Sequence, residues 1–251
     1  MTIEFQAYSD VGCVRSGNED MILLDRQFLR DKNLCGSVCT EPGMRFAAIV
    51  ADGMGGNDGG ELASDIAAQE FDTWLTDLPT GLDCDNVRFL ANRFASDTHN
   101  LVNSKGAELP GFLGMGTTLC GVFLYEDSWY WVNVGDSRLY LRRNGIMRQI
   151  SRDHSYRNLY NDPSQPSNLI YNAIGGGEQY QCFADCRPIY LEPGDNLLIC
   201  SDGLSDMLTS DQIEQAWPLG AKALVDEAKA AGGLDNISVI ILNILSNGPN
   251  V

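Results

Sequence analysis

Four aspartates stand at the ends of apolar runs, each beside glycine or asparagine: Asp52 in VADGMGG, Asp136 in NVGDSR, Asp202 in ICSDGLSD and Asp235 in GLDNIS. A fifth, Asp20, closes the string RSGNED. A carboxylate at the end of a buried strand is costly unless a cation or hydrogen bonds compensate it. Glycine beside it lets backbone approach closely and leaves room for an ion or a phosphate. Several carboxylates with no His or Cys among them are donors for hard cations such as Mg²⁺ and Mn²⁺. The whole chain has only 2 His, so a zinc hydrolase of the histidine type lacks its ligands. Arg15, five positions before Asp20, offers a planar fork that matches phosphate oxygens. Taken singly, an Asp-Gly pair is a common turn. Taken together, acids that each close an apolar run point to a carboxylate metal site, and residue type and spacing carry the reading no further.

The elements that must position these residues are legible as periodicities. Apolar, β-branched runs at Phe46–Ala51, Thr118–Tyr125, Trp129–Val134, Leu139–Arg142, Asn196–Cys200 and Ile237–Leu245 predict strands, each bounded by Gly, Asp, Asn or Pro. Glu126-Asp127-Ser128 predicts a hairpin between two of them. Helical stripes run over Gly60–Leu78 (Leu62, Ile66, Phe71, Trp74, Leu78) and Asp85–Val102 (Val87, Leu90, Phe94, Leu101, Val102). A second pair, Ser210–Trp217 and Ala221–Ala231, precedes the last strand. Helices in pairs between groups of strands predict an α+β fold with antiparallel sheets packed face to face and helices outside, not a doubly wound parallel sheet. Ser155–Gln181, rich in Asn, Ser, Pro, Tyr and Gly, shows little periodicity and reads as a functional flap or a disordered loop.

Lys plus Arg total 17 against 34 Asp plus Glu, a formal net charge of -17. That balance excludes a nucleic-acid footprint and suits a protein that gathers cations or meets basic surfaces. No apolar run is long enough to span a bilayer, and the N-terminus lacks a signal-peptide pattern, so a cytoplasmic protein is expected. The 8 Cys are then expected as thiols, with Cys13, Cys120 and Cys200 as small buried hydrophobes. The pairs Cys35/Cys39 and Cys182/Cys186 leave a four-thiolate zinc site as an outside reading, although their spacing departs from the usual two intervening residues.

The ordered series RSGNED, VADGMGG, GMGTT, VNVGDSRLY, SRDHS, ICSDGLSD and DNISVIIL, running from Arg15 to Leu242, resembles the metal-dependent protein phosphatases of type 2C (the PPM family) in their compact bacterial form. The resemblance implies a four-layer αββα sandwich forming one phosphatase domain over 1–246, with a flap at about 155–181 and a short tail at 247–251. It implies a Mn²⁺ or Mg²⁺ centre of two ions, with a weaker third in bacterial members. Asp52 and the Gly53 carbonyl would bridge the metals, Asp202 and Asp235 would ligate the first, and Asp20 would serve the centre through water. Asp136 with Asp202 would hold the third ion, and Arg15 would bind phosphate. Gly116-Thr117-Thr118 would support the core, and Ser155, Asn172 and Gly175 fall in the flap. The implied reaction is direct attack of a metal-bridging hydroxide on phosphoserine or phosphothreonine, the cations standing about 4 Å apart. Phosphoprotein substrates, an opposing serine/threonine kinase and a monomeric state follow from the same resemblance; charge and hydropathy already argue against nucleic-acid and membrane partners. One departure is Asn57, where relatives often carry a histidine proposed to protonate the leaving group; Asn cannot serve as a general acid near neutral pH. His154, in SRDHS, is expected to order the start of the flap. The alternatives are a pseudophosphatase that binds phosphoproteins, supported by Asn57 alone, and a phosphatase of small phosphomonoesters.

Overall fold

The computed structural model describes residues 1–55, 59–166, 168–177 and 182–246. Asn57 and the tail at 247–251 therefore lie outside the described residues. Two antiparallel six-stranded sheets form the centre. The first runs, edge to edge, β11 (Ile146–Gln149), β10 (Arg138–Arg143), β14 (Asn196–Cys200), β15 (Ile237–Leu245), β1 (Thr2–Asp10) and β4 (Asn33–Cys39). The second runs β13 (Asp185–Pro188), β9 (Ser128–Val134), β8 (Leu119–Tyr125), β5 (Arg45–Ala51), β2 (Met21–Leu24) and β3 (Gln27–Leu29). A small third sheet joins β12 (Ile174–Gly175), β7 (Gly116–Thr117) and β6 (Gly53–Met54).

Strand period 2 and helix period 3.6 divide the apolar residues among three cores. Ile3 and Phe5 of β1, Ile22 and Leu24 of β2, Ala48 and Val50 of β5, and Ile240 and Leu242 of β15 fill the space between the two large sheets. Alternate residues of the second sheet, such as Ile49 and Phe123, pack under α1 (Gly59–Asp77) and α2 (Cys84–Glu108). An aromatic cluster of Phe71, Trp74, Phe94 and Phe123 forms this contact, with ring centroids 5.2–5.7 Å apart. The first sheet's outer face, with Leu198 and Val239, is covered by α4 (Asp202–Ser205), α5 (Ser210–Ala216) and α6 (Ala221–Ala230). The antiparallel α+β fold is as expected. The Tyr125–Ser128 hairpin forms with Glu126 at positive φ, the conformation a two-residue turn requires.

The structure adds strands that sequence reading passed over. β1 alternates buried and exposed along Thr2–Asp10, and β2 is buried throughout. It also corrects two cysteine expectations. Cys13 is exposed in the turn after β1, because Gly12 at positive φ ends the strand there. Cys35 and Cys39 lie on edge strand β4, while Cys186 lies in β13 and Cys182 just before it at the edge of the other sheet, so the four thiols do not converge. Among the described residues no helix is long and apolar enough to cross a membrane.

Candidate metal and phosphate site

The acids meet where strands of both large sheets end. Asp52 follows β5, Asp136 follows β9, Asp202 follows β14, and Asp235 precedes β15. A cavity of about 220 Å³ opens between these ends, lined by Arg15, Asp52, Gly53, Asp136, Asp202 and Asp235. Larger hollows exist, such as one of about 610 Å³ beside Trp129 and Tyr190, but no cluster of acids lines them.

Backbone and hydroxyl contacts fix each acid. Asp52 N–H donates to Thr118 Oγ1 at 3.0 Å, and its carbonyl accepts from Thr118 N–H and Thr117 Oγ1, both at 2.9 Å. Thr118 Oγ1 also shares a hydrogen with Ser137 Oγ at 2.7 Å, tying the Asp52 turn to the residue after Asp136. These are the threonines of the GMGTT string. Gly53 is obligatory for packing: a β-carbon there would lie 2.2 Å from the Gly60 carbonyl oxygen and 2.5 Å from that of Glu19. Gly60, at the start of α1, has the reciprocal constraint against Gly53 and Met54.

Asp202 opens α4 directly after Ser201, and a β-carbon on Gly203 would meet the Asn236 carbonyl oxygen at 2.0 Å. Asp235 accepts from Arg15 Nη2 at 2.7 Å, with both side chains partly exposed at the rim. Asp20 stands behind the cavity rather than on its wall. It is buried, and its Oδ2 accepts from Ser201 Oγ at 2.8 Å.

Burial dominates the electrostatics. Desolvation first, then the neighbouring acids, push Asp20 up to about 7, Asp136 up to about 8 and Asp202 up to about 6. Asp52 is raised well above the carboxylate range by burial and by Asp202, with which it shares a hydrogen bond. Among the described residues, no three of these groups already close into a ligand shell, so the acids ring a cavity rather than fill it. An all-oxygen ring of carboxylates that resist ionisation together, with Arg15 as the one cation on its wall among the described residues, has the donor chemistry of a hard divalent cation site.

Several contributors lack a signal strong enough to single them out by sequence. Glu19 lines the same cavity, one residue before Asp20. Asn236 staples the Arg15 loop: its Nδ2 donates to the carbonyls of Val11 at 3.0 Å and Gly17 at 2.9 Å, and its Oδ1 accepts Glu19 N–H at 2.8 Å. The strings NED and DN hold both residues, and only their next-door acids mark them. Asn168 and Ile170 reach the cavity from the flap, from a stretch without periodicity.

The flap residues are tied at its base. Ser155 bridges to Ile170 and caps the short helix α3 (Tyr156–Tyr160). Asn172 is fully buried. It donates to the Phe183 carbonyl at 2.9 Å and accepts from Phe183 N–H at 3.0 Å. Gly175, at φ 77°, lies in β12 against Gly116, where a β-carbon would strike Val102 and the Met115 carbonyl. His154 orders this region, as expected: its Nδ1 faces Gly135 N–H at 3.1 Å and Asn172 Nδ2 at 2.7 Å, and its Nε2 faces Asp185 at 3.2 Å. The hydrogen bond from His154 holds the Asp185 carboxyl below its usual range. One imidazole thus joins the Asp136 turn, the flap and β13.

Two antiparallel sheets meeting at a ring of acids, with an arginine at the rim, define a metal-assisted hydrolase of anionic esters. The chain belongs to the protein phosphatase 2C family, whose sequence pattern matches residues 26–231. It is 30% identical over 259 residues to the protein phosphatase PhpP of Streptococcus pneumoniae, covering 96% of this chain and 98% of that one. The crystal structure of the Mycobacterium tuberculosis serine/threonine phosphatase PstP/Ppp superposes with a TM-score of 0.76 at 28% identity, covering 98% of this chain and 100% of that chain. A PstP catalytic domain in complex with 2 manganese ions superposes at a TM-score of 0.72 and 28% identity, covering 98% and 99%. The chain is a serine/threonine protein phosphatase that depends on divalent metal.

Proposed function

We propose that this phosphatase removes phosphate from seryl and threonyl side chains of cytoplasmic phosphoproteins, opposite a serine/threonine kinase, by direct hydrolysis. The observation that supports the reading most is the ring of Asp52, Asp136, Asp202 and Asp235 with Arg15 at its rim. Asp52, the Gly53 carbonyl, Asp202, Asp235 and Glu19 would hold the principal cations, and Asp136 with Asp202 a further one. When bound, such cations supply a water acidified enough to attack phosphorus near neutral pH and positive charge for the phosphoryl oxygens.

The rest falls to the chain. Arg15, ion-paired with Asp235 through Nη2, would offer the remaining donors of its planar guanidinium to the phosphate and orient it in the cavity. Thr117 and Thr118 hold the Asp52 carbonyl and amide still, so its carboxylate keeps one aim through turnover. Asp20 and Ser201 brace the start of α4 from behind. No cysteine is needed as nucleophile, and the cysteines are free thiols. Buried unpaired Cys120, Cys186 and Cys200 suit a reducing compartment, which supports the cytoplasmic reading.

Competition between a phosphothreonine peptide and a small alkyl phosphomonoester tests the substrate class. The proposal expects kcat/KM for the peptide to be at least about tenfold higher, through contacts beyond the phosphate. A preference for the small ester would assign the site to small-molecule hydrolysis instead.

A further inference from the structure

Edge strands left bare in a sheet invite pairing, and proteins shield them with charge, proline or brevity. Three of the four edges of the two large sheets are shielded in this way. β3 has three residues between Arg26 and Arg30, β11 has four including Arg148, and β13 carries Asp185, Arg187 and Pro188. β4 differs. Its seven residues, Asn33–Cys39, contain no charge and no proline, in a chain whose net charge is -17.

The chemistry of β4 is close to a palindrome. Cys35 and Cys39 stand symmetrically about Ser37, and the positions between them differ, Gly36 on one side and Val38 on the other. Pairing with β1 fixes its faces: Cys35, Ser37 and Cys39 sit beside Gln6, Glu4 and Thr2 and are exposed, while Leu34 and Val38 turn towards the core between the sheets. Beneath Gly36 lies the Phe5 ring, 2.7 Å from where a β-carbon would stand.

We propose that β4 is the interface for a second copy of this chain, joined antiparallel about a two-fold axis at Ser37. Alternation of side chains requires residues facing across such an axis to share a face. About Ser37, Cys35 then lies opposite the partner's Cys39, twice over, and Gly36 lies opposite the partner's Val38. The partner's Val38 extends the apolar layer beside Phe5, where Gly36 contributes no side chain. The exposed charges flanking the strand complement each other end to end: Lys32 precedes β4 and Glu41 follows it, so each Lys32 reaches the end that carries the partner's Glu41. The result is one continuous sheet across two copies. The contact is small, so the dimer is weak and concentration-dependent. The monomer implied by the family resemblance is its dilute form. The catalytic cavity is left open, since it lies at strand ends and not along this edge.

Sedimentation of the full-length reduced protein from about 1 to about 300 µM tests the proposal, with a monomer–dimer equilibrium expected in that range. Ser37→Lys and Ser37→Asp each place two like charges across the axis and should weaken the dimer at least tenfold. Both should leave p-nitrophenyl phosphate hydrolysis unchanged, which also shows that the variants fold. Diamide provides a register test: its azo bond accepts two electrons and two protons as one Cys35 and one partner Cys39 thiol become a disulfide. A covalent dimer containing linked Cys35 and Cys39 peptides is expected, and Cys35→Ser or Cys39→Ser alone should abolish it. A monomer at every concentration, a dimer indifferent to both Ser37 variants, or cross-links through Cys13 would overturn the proposal. So would a purified monomer carrying an extended peptide of another protein on this edge.

Discussion

The aspartates of the site are individually unfavourable for folding, and that cost has a measurable pH signature. Asp20, Asp136 and Asp202 are raised to about 7, 8 and 6 by burial and by one another. Between the ordinary carboxylate range and these values, the folded chain binds more protons than the unfolded one, so stability falls as pH rises. Metal-free protein, prepared with a chelator, should therefore melt about 5 °C or more lower at pH 8 than at pH 5. Saturating Mn²⁺ at pH 8 should restore the loss, and Asp136→Asn should flatten the metal-free profile. A metal-free melting temperature that rises between pH 5 and pH 8 would count against a crowded acid site. Asn57 makes a second prediction at this scale. With no general acid at that position, Asn57→His should speed hydrolysis of an alkyl phosphate more than of an aryl phosphate, by about tenfold or more. An equal or smaller gain on the alkyl ester would remove Asn57 from the account of leaving-group protonation.

At the scale of elements, the flap is held by its root. Asn172 bonds Phe183 twice and meets His154, which in turn meets the Gly135 amide beside Asp136. Asn172→Ala leaves buried partners unsatisfied, at a cost of about 2–4 kcal/mol. It should raise KM for a phosphopeptide several-fold while changing p-nitrophenyl phosphate hydrolysis little, since Asn168 and Ile170 reach the cavity from the same flap. Equal losses on both substrates would mean that Asn172 supports the metal site rather than peptide contacts. Legibility in the sequence follows the same division. The β5, β8, β9, β14 and β15 strands and the helices α1, α2, α5 and α6 announce themselves by period, because one face of each meets a core. β1 was equally legible in principle, through Ile3, Phe5 and Ala7, but its alternating exposed positions make a weaker run than an all-apolar strand. Asp52, Asp136, Asp202 and Asp235 could be found because each interrupts such a run. Glu19 and Asn236 could not, because their roles depend on loop–strand contacts between residues more than 200 positions apart. His154 is legible only as a polar residue in a polar string; its three partners come from three separate segments.

For the whole molecule, the fold sets two sheets so that their strand ends converge at one rim, and the acids gather where backbone leaves the cores. The surface charge acts over a longer range. With a net charge of -17, encounter with a phosphopeptide rich in Lys and Arg is steered electrostatically, and encounter with an acidic one is opposed. The expected kcat/KM for a basic phosphothreonine peptide exceeds that for an acidic one of equal length by about tenfold at low salt. Raising ionic strength to about 0.5 M should shrink the ratio, because screening lengths fall to a few ångströms. A ratio unaffected by salt would place the discrimination in short-range contacts.

One assay asks directly whether the carboxylate ring is a divalent-metal phosphatase centre. Phosphate release from a phosphothreonine peptide is measured with Mn²⁺, with Mg²⁺ and with EDTA, beside Asp202→Asn, and Mn²⁺ binding is followed calorimetrically on the same samples. Metal-dependent release, abolished by EDTA, is expected, with a loss of about 10²-fold or more in Asp202→Asn together with weakened Mn²⁺ binding. Release that persists in EDTA, or Asp202→Asn protein that binds Mn²⁺ and turns over like the parent, would contradict it.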